Sequence, residues 1–281
     1  MTPKKFTTLL LLVFALLCPA ETVKAGQLLR VLAIGNSFSE DAVEQNLYEL
    51  AHEAGYELII GNAYRGGQGL ESHWKVVSTH TADFEYRKVA EGRKTNRTKV
   101  ELDEILGDEP WDVITFQQVS QDAGISDTYE PWLSNLISYA KTVMGTRQVR
   151  YGFHQTWAYA KDAQHWGFAK YDRDQMKMYT SIVAAVRQTV DDNRDLSFVV
   201  PSGTAIQNAR ALLGDHLTRD GYHLDYGVGR YTAACTWLEA VTGASPIGLS
   251  YKPSTVSAEQ AVTAQEAAHE ALHNPDACIK R

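Results

Sequence analysis

The fold is decided by residues 28–39, which read LLRVLAIGNSFS. Leu28–Ile34 is an almost continuous aliphatic run, as expected of a strand that is buried on both faces of a parallel sheet. Gly35–Ser39 is short and mostly polar, and Asp41–Ala54 then carries apolar residues at helical spacing. These residues predict a strand, a turn and a helix, with the turn at the strand end where sheets of this kind bind ligands.

The same alternation of strand and helix recurs along the chain. Four more apolar strands are predicted, at Glu57–Gly61, Asp112–Phe116, Val149–Phe153 and Leu196–Val200. Further helices are predicted over Val100–Leu106, Pro131–Met144, Asp174–Val190 and Gly227–Val241. We therefore predict an α/β fold, a three-layer α/β/α arrangement around a central parallel five-stranded sheet. The charge-dense stretch Lys88–Thr98 is expected to be an exposed hairpin or loop.

The N-terminus is expected to direct export. Residues 1–25 combine a basic start, an apolar run over Leu9–Cys18 and small residues that allow cleavage after Ala20 or, better, Ala25. This pattern is typical of a secretory signal peptide, and the run is too short to span a membrane. Residues 26–281 would then form one domain located in the periplasm or outside the cell.

The cysteines leave two questions open. Cys18 lies near the end of the apolar run, but Leu17 stands where a lipoprotein signal needs a small residue, so lipid anchoring is disfavoured. Cys235 and Cys278 remain in the processed chain. A buried thiol is the favoured interpretation of Cys235, and a Cys235–Cys278 disulfide is permitted by an oxidising compartment.

The composition restricts the class of partner. The 281-residue chain has 27 basic and 34 acidic residues, and removal of residues 1–25 leaves 24 and 33, a net charge of −9. This charge and the lack of a basic cluster argue against nucleic acid as a partner. No segment after residue 25 is apolar and long enough to be an integral membrane span. A small-molecule or polysaccharide substrate is the partner expected.

Two short motifs have the chemistry of nucleophilic catalysis. Ser37 follows the first strand, where a serine at the start of a helix is well placed as a nucleophile, although Ser37 or Ser39 could simply cap that helix. Asp220 precedes His223 by three residues, so its carboxylate can reach the imidazole and leave the other ring nitrogen free to take a proton from a serine. Each motif alone is weak.

Candidate oxyanion donors follow the second and third strands. Gly67 could bring a backbone N–H close to a developing negative charge, since no side chain blocks the approach. Gln117 and Gln118 follow Phe116, and either amide could donate a further hydrogen bond. The order of serine, glycine, glutamine and Asp-x-x-His along the chain carries more weight than any one motif.

Five ordered motifs together resemble the SGNH (GDSL-like) hydrolase superfamily, and more closely a bacterial branch of exported SGNH-like domains. The motifs are Gly35–Ser39 (GNSFS), Gly69–Trp74 (GLESHW), Phe116–Gln118 (FQQ), His154–Tyr159 (HQTWAY) and Asp220–Leu224 (DGYHL). The resemblance extends over about residues 28–245. It implies a flavodoxin-like sheet and a serine hydrolase that needs no cofactor.

The resemblance also implies a role for individual residues. Ser37 would be the nucleophile, His223 the general base and Asp220 the acid that orients it, while Ser37 and Gly67 would donate backbone N–H groups to the oxyanion. The sequence departs from the superfamily at Asn36, where Asp is usual, and at Gln117-Gln118, which replaces the Gly-x-Asn-Asp block. Sialic-acid and xylan acetylesterases carry Q-G-E-S there, and by that analogy Gln118 is the third oxyanion donor and Gln117 the alternate.

Aromatic residues and histidines cluster after the fourth strand: His154, Trp157, Tyr159, His165 and Trp166. His154 and Trp157 are expected to bind substrate, because aromatic rings beside hydrolase sites stack on sugars, although packing beneath the loop is equally compatible. A metal site built from His73, His154 or His165 is disfavoured because the spacings are not those of ligands. Asp220, His223 and Asp225 offer a second, weaker metal cluster.

We therefore expect a carboxylic ester hydrolase that acts on acetyl esters of a decorated polysaccharide. Two alternatives remain open: a non-catalytic glycan-binding protein that kept the fold, and a metal-dependent phosphoesterase. A lipase is less favoured, because the sequence contains no apolar lid.

Overall fold

The computed structural model describes residues 26–279, so the predicted signal peptide and Cys18 lie outside the described residues. The strands are β1 (Gln27–Gly35), β2 (Tyr56–Tyr64), β3 (Phe84–Ala90), β4 (Arg93–Val100), β5 (Val113–Phe116), β6 (Arg150–His154) and β7 (Leu196–Val200). The helices are α1 (Ser37–Val43), α2 (Leu47–Glu53), α3 (Leu70–Ser78), α4 (Leu102–Asp108), α5 (Trp132–Met144), α6 (Gln175–Asp192), α7 (Ser202–Leu213), α8 (Val228–Thr242) and α9 (Ala258–His273).

The strands form one mostly parallel sheet in the order β4-β3-β2-β1-β5-β6-β7. β1 lies between β2 and β5, and Val31 pairs with Ile60 on one side and Val113 on the other. The five predicted strands are the five parallel ones, and their order is that of flavodoxin-like sheets. Within the described residues the sheet nevertheless has seven strands, so the prediction of a five-stranded sheet is wrong in this detail.

The two additional strands are an antiparallel hairpin at the edge of the sheet. β3 pairs with β2, and β4 pairs with β3. Glu91 and Gly92 join them with φ angles of 50° and 68°, the positive values that a two-residue turn between twisted strands requires. Lys88–Thr98, predicted to be a hairpin or loop, forms part of this hairpin, and its high charge suits an exposed edge strand.

Helix boundaries differ from prediction at two places. The helix predicted over Asp41–Ala54 is divided into α1 and α2 near Asn46, whose φ is 62°. The helix predicted over Val100–Leu106 begins at Leu102, because Val100 still pairs with Phe84 in the sheet. α3, α7 and α9 have no counterpart in the prediction. Most helices fall into two groups: α3 and α4 pack on α5, while α1, α2, α7 and α9 pack around α8. α6 contacts α7 and β7.

Parallel pairing brings four strand ends to one edge of the sheet. Gly35 pairs with Tyr64, Ile34 with Phe116, and Phe116 with Phe153. The segments that carry four of the five motifs therefore start next to one another, at the carboxyl edge of the sheet.

The core confirms one interpretation of the cysteines. Cys235 is fully buried in α8 and unpaired, and Cys278 is also free. Burial raises the pKa of the Cys235 thiol, as expected of an inert core residue. Among the helices within residues 26–279, none combines the length and apolarity that spanning a membrane would need.

His73 is a buried histidine without a polar partner. Its ring stacks on Phe84 at 5.5 Å, and neither ring nitrogen has a hydrogen-bond partner among the described residues. Burial, with a smaller contribution from Arg65, lowers the pKa of His73 to about 3. In the folded protein this imidazole therefore stays neutral between pH 7 and pH 5, the range over which the same histidine takes up a proton in the unfolded chain.

This burial predicts a pH dependence of stability. Between pH 7 and pH 5 the unfolded state gains a proton at His73 that the folded state does not. This proton lowers the free energy of unfolding at pH 5 by about 2 kcal/mol. His73→Leu should remove that loss. Urea unfolding of both proteins at the two pH values measures it, and the same substitution at the exposed His216 controls for removing an imidazole from the unfolded chain. An unchanged pH dependence in His73→Leu would contradict the account.

Candidate active site

Ser37 is the first residue of α1, immediately beyond the end of β1. Asn36 caps the helix, and its Oδ1 accepts the backbone N–H of Phe38 at 3.0 Å. The Ser37 N–H belongs to the helix's first turn, where backbone donors have no partner within the helix. This arrangement places Ser37, which is half-buried, at the carboxyl edge of the sheet with a backbone N–H that has no acceptor within the helix.

His223 and Asp220 meet Ser37 from the far end of the sequence. His223 Nε2 lies 2.8 Å from Ser37 Oγ, and His223 Nδ1 lies 2.7 Å from Asp220 Oδ2. Asp220 Oδ1 also accepts the backbone N–H groups of His223 at 2.7 Å and Tyr222 at 3.1 Å. The structure thus brings together the three residues that the sequence singled out, in an unbroken chain of hydrogen bonds.

The environment of Asp220 keeps its carboxylate ionised. Burial acts to raise the pKa of Asp220, but hydrogen bonds from the His223 ring and from two backbone N–H groups outweigh it and hold the pKa below its usual value. An ionised carboxylate next to Nδ1 keeps the proton on that nitrogen. Nε2, which faces Ser37, is then the nitrogen that can accept a proton.

A buried carboxylate on α1 anchors the loop that carries His223. Asp41 is fully buried and accepts the Leu224 N–H at 2.8 Å. It also pairs with Arg219 at 3.1 Å and with Arg230, on α8, at 2.5 Å. Arg219 in turn donates to the Leu224 carbonyl. The helix that begins with Ser37 therefore also binds the residues on either side of His223.

Trp157 packs beneath this site and does not line it. It is fully buried, stacks on Phe38 with ring centroids 4.4 Å apart, and donates from Nε1 to the Tyr222 carbonyl at 2.7 Å. The expectation that Trp157 binds substrate is therefore wrong. Its position shows instead that it supports both α1 and the loop that carries His223.

His154 is likewise buried, and it belongs to a chain of hydrogen bonds beneath the nucleophile. Its Nε2 lies 3.0 Å from Ser202 Oγ and its Nδ1 lies 2.9 Å from Gln117 Oε1. Gln117 Nε2 donates to Asn36 Oδ1 at 2.7 Å, and Asn36 Nδ2 donates to the Gln68 carbonyl at 2.9 Å. Burial lowers the pKa of His154 to about 3, so this ring is neutral. The expectation that His154 binds substrate is also wrong.

The Gln118 amide is not available as an oxyanion donor. Its Nε2 donates to the Thr128 carbonyl and hydroxyl at 2.9 and 3.0 Å, and its Oε1 accepts from Leu70 N and Val119 N. Gln118 thus joins the start of α3 to a neighbouring loop. The expectation that Gln118 is the third oxyanion donor is therefore wrong. The alternate, Gln117, is equally occupied, by its contacts with Asn36 and His154.

Ser37 and His223 open into a pocket of about 330 Å³, lined by Asn36, Ser37, Phe38, Tyr64, Gly66, Gly67, Val119, Ser120, Gln121, His165, Tyr222 and His223. Gly67 has a φ of 68°, and a Cβ there would meet no atom within 4 Å. Among residues 26–279, no protein acceptor takes the N–H of Gly67 or of Ser37. The residues that line the pocket therefore include two, Ser37 and Gly67, whose backbone N–H groups have no protein acceptor among the described residues.

The histidines and carboxylates that the sequence analysis considered and disfavoured as metal ligands do not form one cluster among the described residues. Asp225 accepts the N–H groups of Gly227 and Gly229 at 2.6 and 2.9 Å, so it caps α8 and does not join Asp220 and His223. His165 does line the pocket, but its Nδ1 accepts the Gly167 N–H at 3.0 Å. Sequence reasoning missed Tyr64, Val119–Gln121 and Tyr222 as lining residues, because their positions depend on how separate loops meet.

The model of the DUF4886 family, a domain of unknown function, matches residues 30–271, and the chain belongs to this family. No curated protein matches it. Among solved structures, the chain is similar to a DUF4886 family protein from Bacteroides uniformis, with 46% sequence identity and a TM-score of 0.87. That similarity covers 90% of this chain and 98% of the other.

A more distant similarity concerns the fold alone. A protein from Slackia heliotrinireducens, described as a candidate SGNH hydrolase, is 21% identical with a TM-score of 0.52. The match covers 76% of this chain and 99% of that one. It confirms, at the level of the fold, the resemblance to SGNH hydrolases that the five motifs predicted.

The contacts of Asp41 yield a prediction about stability. Asp41→Asn removes the negative charge and leaves the buried Arg230 with only the more distant Glu40, at 3.9 Å, as an ion-pair partner, which should lower the unfolding free energy by about 3–5 kcal/mol. Asp195→Asn, at an exposed pair with Lys141, is the control and should cost about 0–1 kcal/mol. Urea unfolding measures both. Similar small losses in the two variants would show that Asp41 is not an anchor.

Proposed function

For this member of the DUF4886 family, we propose the function of a serine ester hydrolase that acts through an acyl-serine intermediate. The observation that carries the proposal is the 2.8 Å contact between Ser37 Oγ and His223 Nε2, with Asp220 on the opposite nitrogen of the same ring. Nucleophile, base and orienting acid in hydrogen-bond order are what acyl transfer requires.

In the first half-reaction Ser37 Oγ attacks the carbonyl carbon of the ester, and its proton passes to His223 Nε2. The carbonyl oxygen becomes an oxyanion, and Asp220 stabilises the imidazolium that forms. When the tetrahedral intermediate collapses, the bond to the alcohol breaks and His223 gives its proton to the departing oxygen. The products of this step are a free alcohol and an acyl group on Ser37.

In the second half-reaction a water molecule takes the place of the alcohol. His223 removes a proton from the water as it attacks the acyl carbon, and returns that proton to Ser37 Oγ as the carboxylic acid leaves. Because Asp220 must be ionised in both steps, its support for the imidazolium is present above its lowered pKa and is lost as the pH falls through that value.

Two backbone groups are the proposed oxyanion donors, the N–H of Ser37 and the N–H of Gly67. Both residues line the pocket, and neither N–H has a protein acceptor among the described residues. Asn36 supports this arrangement indirectly, since its amide donates to the Gln68 carbonyl in the turn that contains Gly67. Donors held in place before the reaction stabilise the oxyanion without a cost of reorganisation.

The shape of the pocket supports a short acyl group attached to a larger alcohol. The pocket of about 330 Å³ shares Gly67, Val119 and Gln121 with a second groove of about 390 Å³. Trp166, 64% exposed, stands next to His165, which lines the pocket. We propose acetyl esters of a decorated polysaccharide, in keeping with the predicted export, with Trp166 as a surface on which a sugar ring can stack.

His165 offers a polar contact for such a substrate. Its Nδ1 accepts the Gly167 N–H, so the ring proton resides on Nε2. Burial, reinforced by His223 and opposed by Asp220, lowers the pKa of His165, so the ring acts as a neutral donor. A neutral N–H suits a hydroxyl or carbonyl oxygen of a sugar ester.

A glycan-binding protein without hydrolytic activity is the second candidate. The exposure of Trp166 favours it, because an aromatic platform serves binding as well as catalysis. The two functions differ in whether Ser37 is required, which a single substitution can test.

We expect hydrolysis of 4-nitrophenyl acetate and release of acetate from acetylated xylan by the wild-type protein. Ser37→Ala should abolish both, and Asp220→Asn should lower kcat by roughly a thousandfold or more, because the imidazole loses its orienting charge. Initial rates measured with both substrates test this expectation.

Ser39→Ala is the matched control for Ser37→Ala. Ser39 is the other serine of the turn, but its Oγ is buried and donates to the Asn36 carbonyl and Asn62 Oδ1 at 2.7 and 2.9 Å. This variant should keep substantial activity. Equal activity of wild type and Ser37→Ala, whether both are inert or both active, would refute the proposal.

A further inference from the structure

A second cluster of polar side chains lies where α8 and α9 end. Glu239 is in the last turn of α8, and His269 and His273 are on the last two turns of α9. Arg230, near the start of α8, pairs with Asp41 on the helix that carries Ser37. Glu239 is nine residues further along α8, which is about 13 Å of helix. None of the three residues lines the pocket that contains Ser37, so the cluster is separate from it.

The two histidines have the spacing of helical metal ligands. Residues four apart lie on the same helix face, and the rings of His269 and His273 have centroids 4.3 Å apart. One ligand atom from each of the three residues lies within 4.8 Å of the other two. Ligands about 2.0–2.2 Å from a tetrahedral zinc ion are about 3.4 Å apart, so small side-chain adjustments would close the set around one ion.

Glu239 supplies an independent indication. Its side chain is only 11% exposed, and among residues 26–279 its sole ion-pair or hydrogen-bond partner is the His269 ring, at 2.8 and 3.0 Å from its two oxygens. Among the described residues, the His269 ring is thus the one group that offsets the cost of burying this carboxylate. No Lys or Arg in the described part of the chain pairs with Glu239, so a cation shared with the histidines would neutralise it.

The remaining contacts also favour a cation. His273 Nδ1 lies 2.9 Å from the His269 carbonyl oxygen. Because a carbonyl only accepts hydrogen bonds, Nδ1 must carry the ring proton, and Nε2 of the neutral ring carries the free lone pair. A backbone carbonyl that fixes the second ring nitrogen is typical of metal-binding histidines.

We propose that Glu239, His269 and His273 form a site for a divalent transition-metal ion of the zinc type, which ties α8 to α9. The ion would replace the proton shared by His269 and Glu239 and would bind His273 through Nε2. Two nitrogens and one carboxylate oxygen suit Zn²⁺, Ni²⁺ or Cu²⁺ and not Ca²⁺ or Mg²⁺, which prefer oxygen ligands. Water would complete the coordination, since His273 is exposed.

The test is titration of the full-length protein, purified without a polyhistidine tag and stripped of metal, with Zn²⁺ in a calorimeter. We expect one ion per chain with a roughly micromolar Kd, and an increase in Tm when Zn²⁺ is added. His273→Gln and Glu239→Gln should each weaken binding at least tenfold and abolish the increase in Tm. His273 is exposed, so this variant should fold normally even if Glu239→Gln does not.

His80→Gln is the matched control, because His80, Glu101 and Asp103 form another potential cluster in the described residues, with a single imidazole. It should bind Zn²⁺ like wild type. His223→Gln should do the same, which separates the proposed site from the Ser37 pocket. The proposal is overturned if wild type binds no Zn²⁺, if His273→Gln binds it equally well, or if only His80→Gln or His223→Gln abolishes binding.

Discussion

The ion pairs and hydrogen bond of Asp41 hold the site together. Asp41 lies one helical turn after Ser37 and is fully buried, and Leu224, Arg219 and Arg230 all bind its carboxylate. A buried charge is tolerated only when it is paired and hydrogen-bonded, so α1 can pack in this position only if the loop that carries His223 closes over it. One short helix thus presents the serine and fixes the residue that faces it from 186 positions away.

A second constraint on the site is a chain of hydrogen bonds between uncharged side chains, buried beneath Ser37. The chain of hydrogen bonds from Ser202 through His154, Gln117 and Asn36 ends at the Gln68 carbonyl. Each member is satisfied by its neighbours, which is the condition under which a buried polar network makes a structure rigid. The network joins the first turn of α7, the strand ends and the Gly67 turn. The positions of the Ser37 hydroxyl and the Gly67 N–H are therefore linked, although neither residue belongs to the network.

Much of the fold could be predicted, because buried parallel strands are nearly pure apolar runs and the motifs follow them directly. Ser37, Asp220 and His223 could be singled out because the Asp-x-x-His spacing is local and because the order of the motifs resembles that of SGNH hydrolases. The roles of Gln117, Gln118, His154 and Trp157 could not, since neighbouring residues after a strand point in different directions and only tertiary contacts decide which one is buried. The glycines record those contacts: a Cβ at Gly35 would come within 2.8 Å of the Gln117 side chain, and one at Gly69 within 2.3 Å of Gln118.

The most direct test of the account is covalent labelling of Ser37 by a fluorophosphonate, which reacts only with a serine that a neighbouring base has activated. Intact-protein mass spectrometry of the folded wild type should show one adduct, and peptide mapping should locate it on Ser37. Ser37→Ala should remain unlabelled, and His223→Ala should label far more slowly. A folded wild-type protein that forms no adduct, or that carries it on another serine, would contradict the assignment of Ser37, His223 and Asp220 as a catalytic triad.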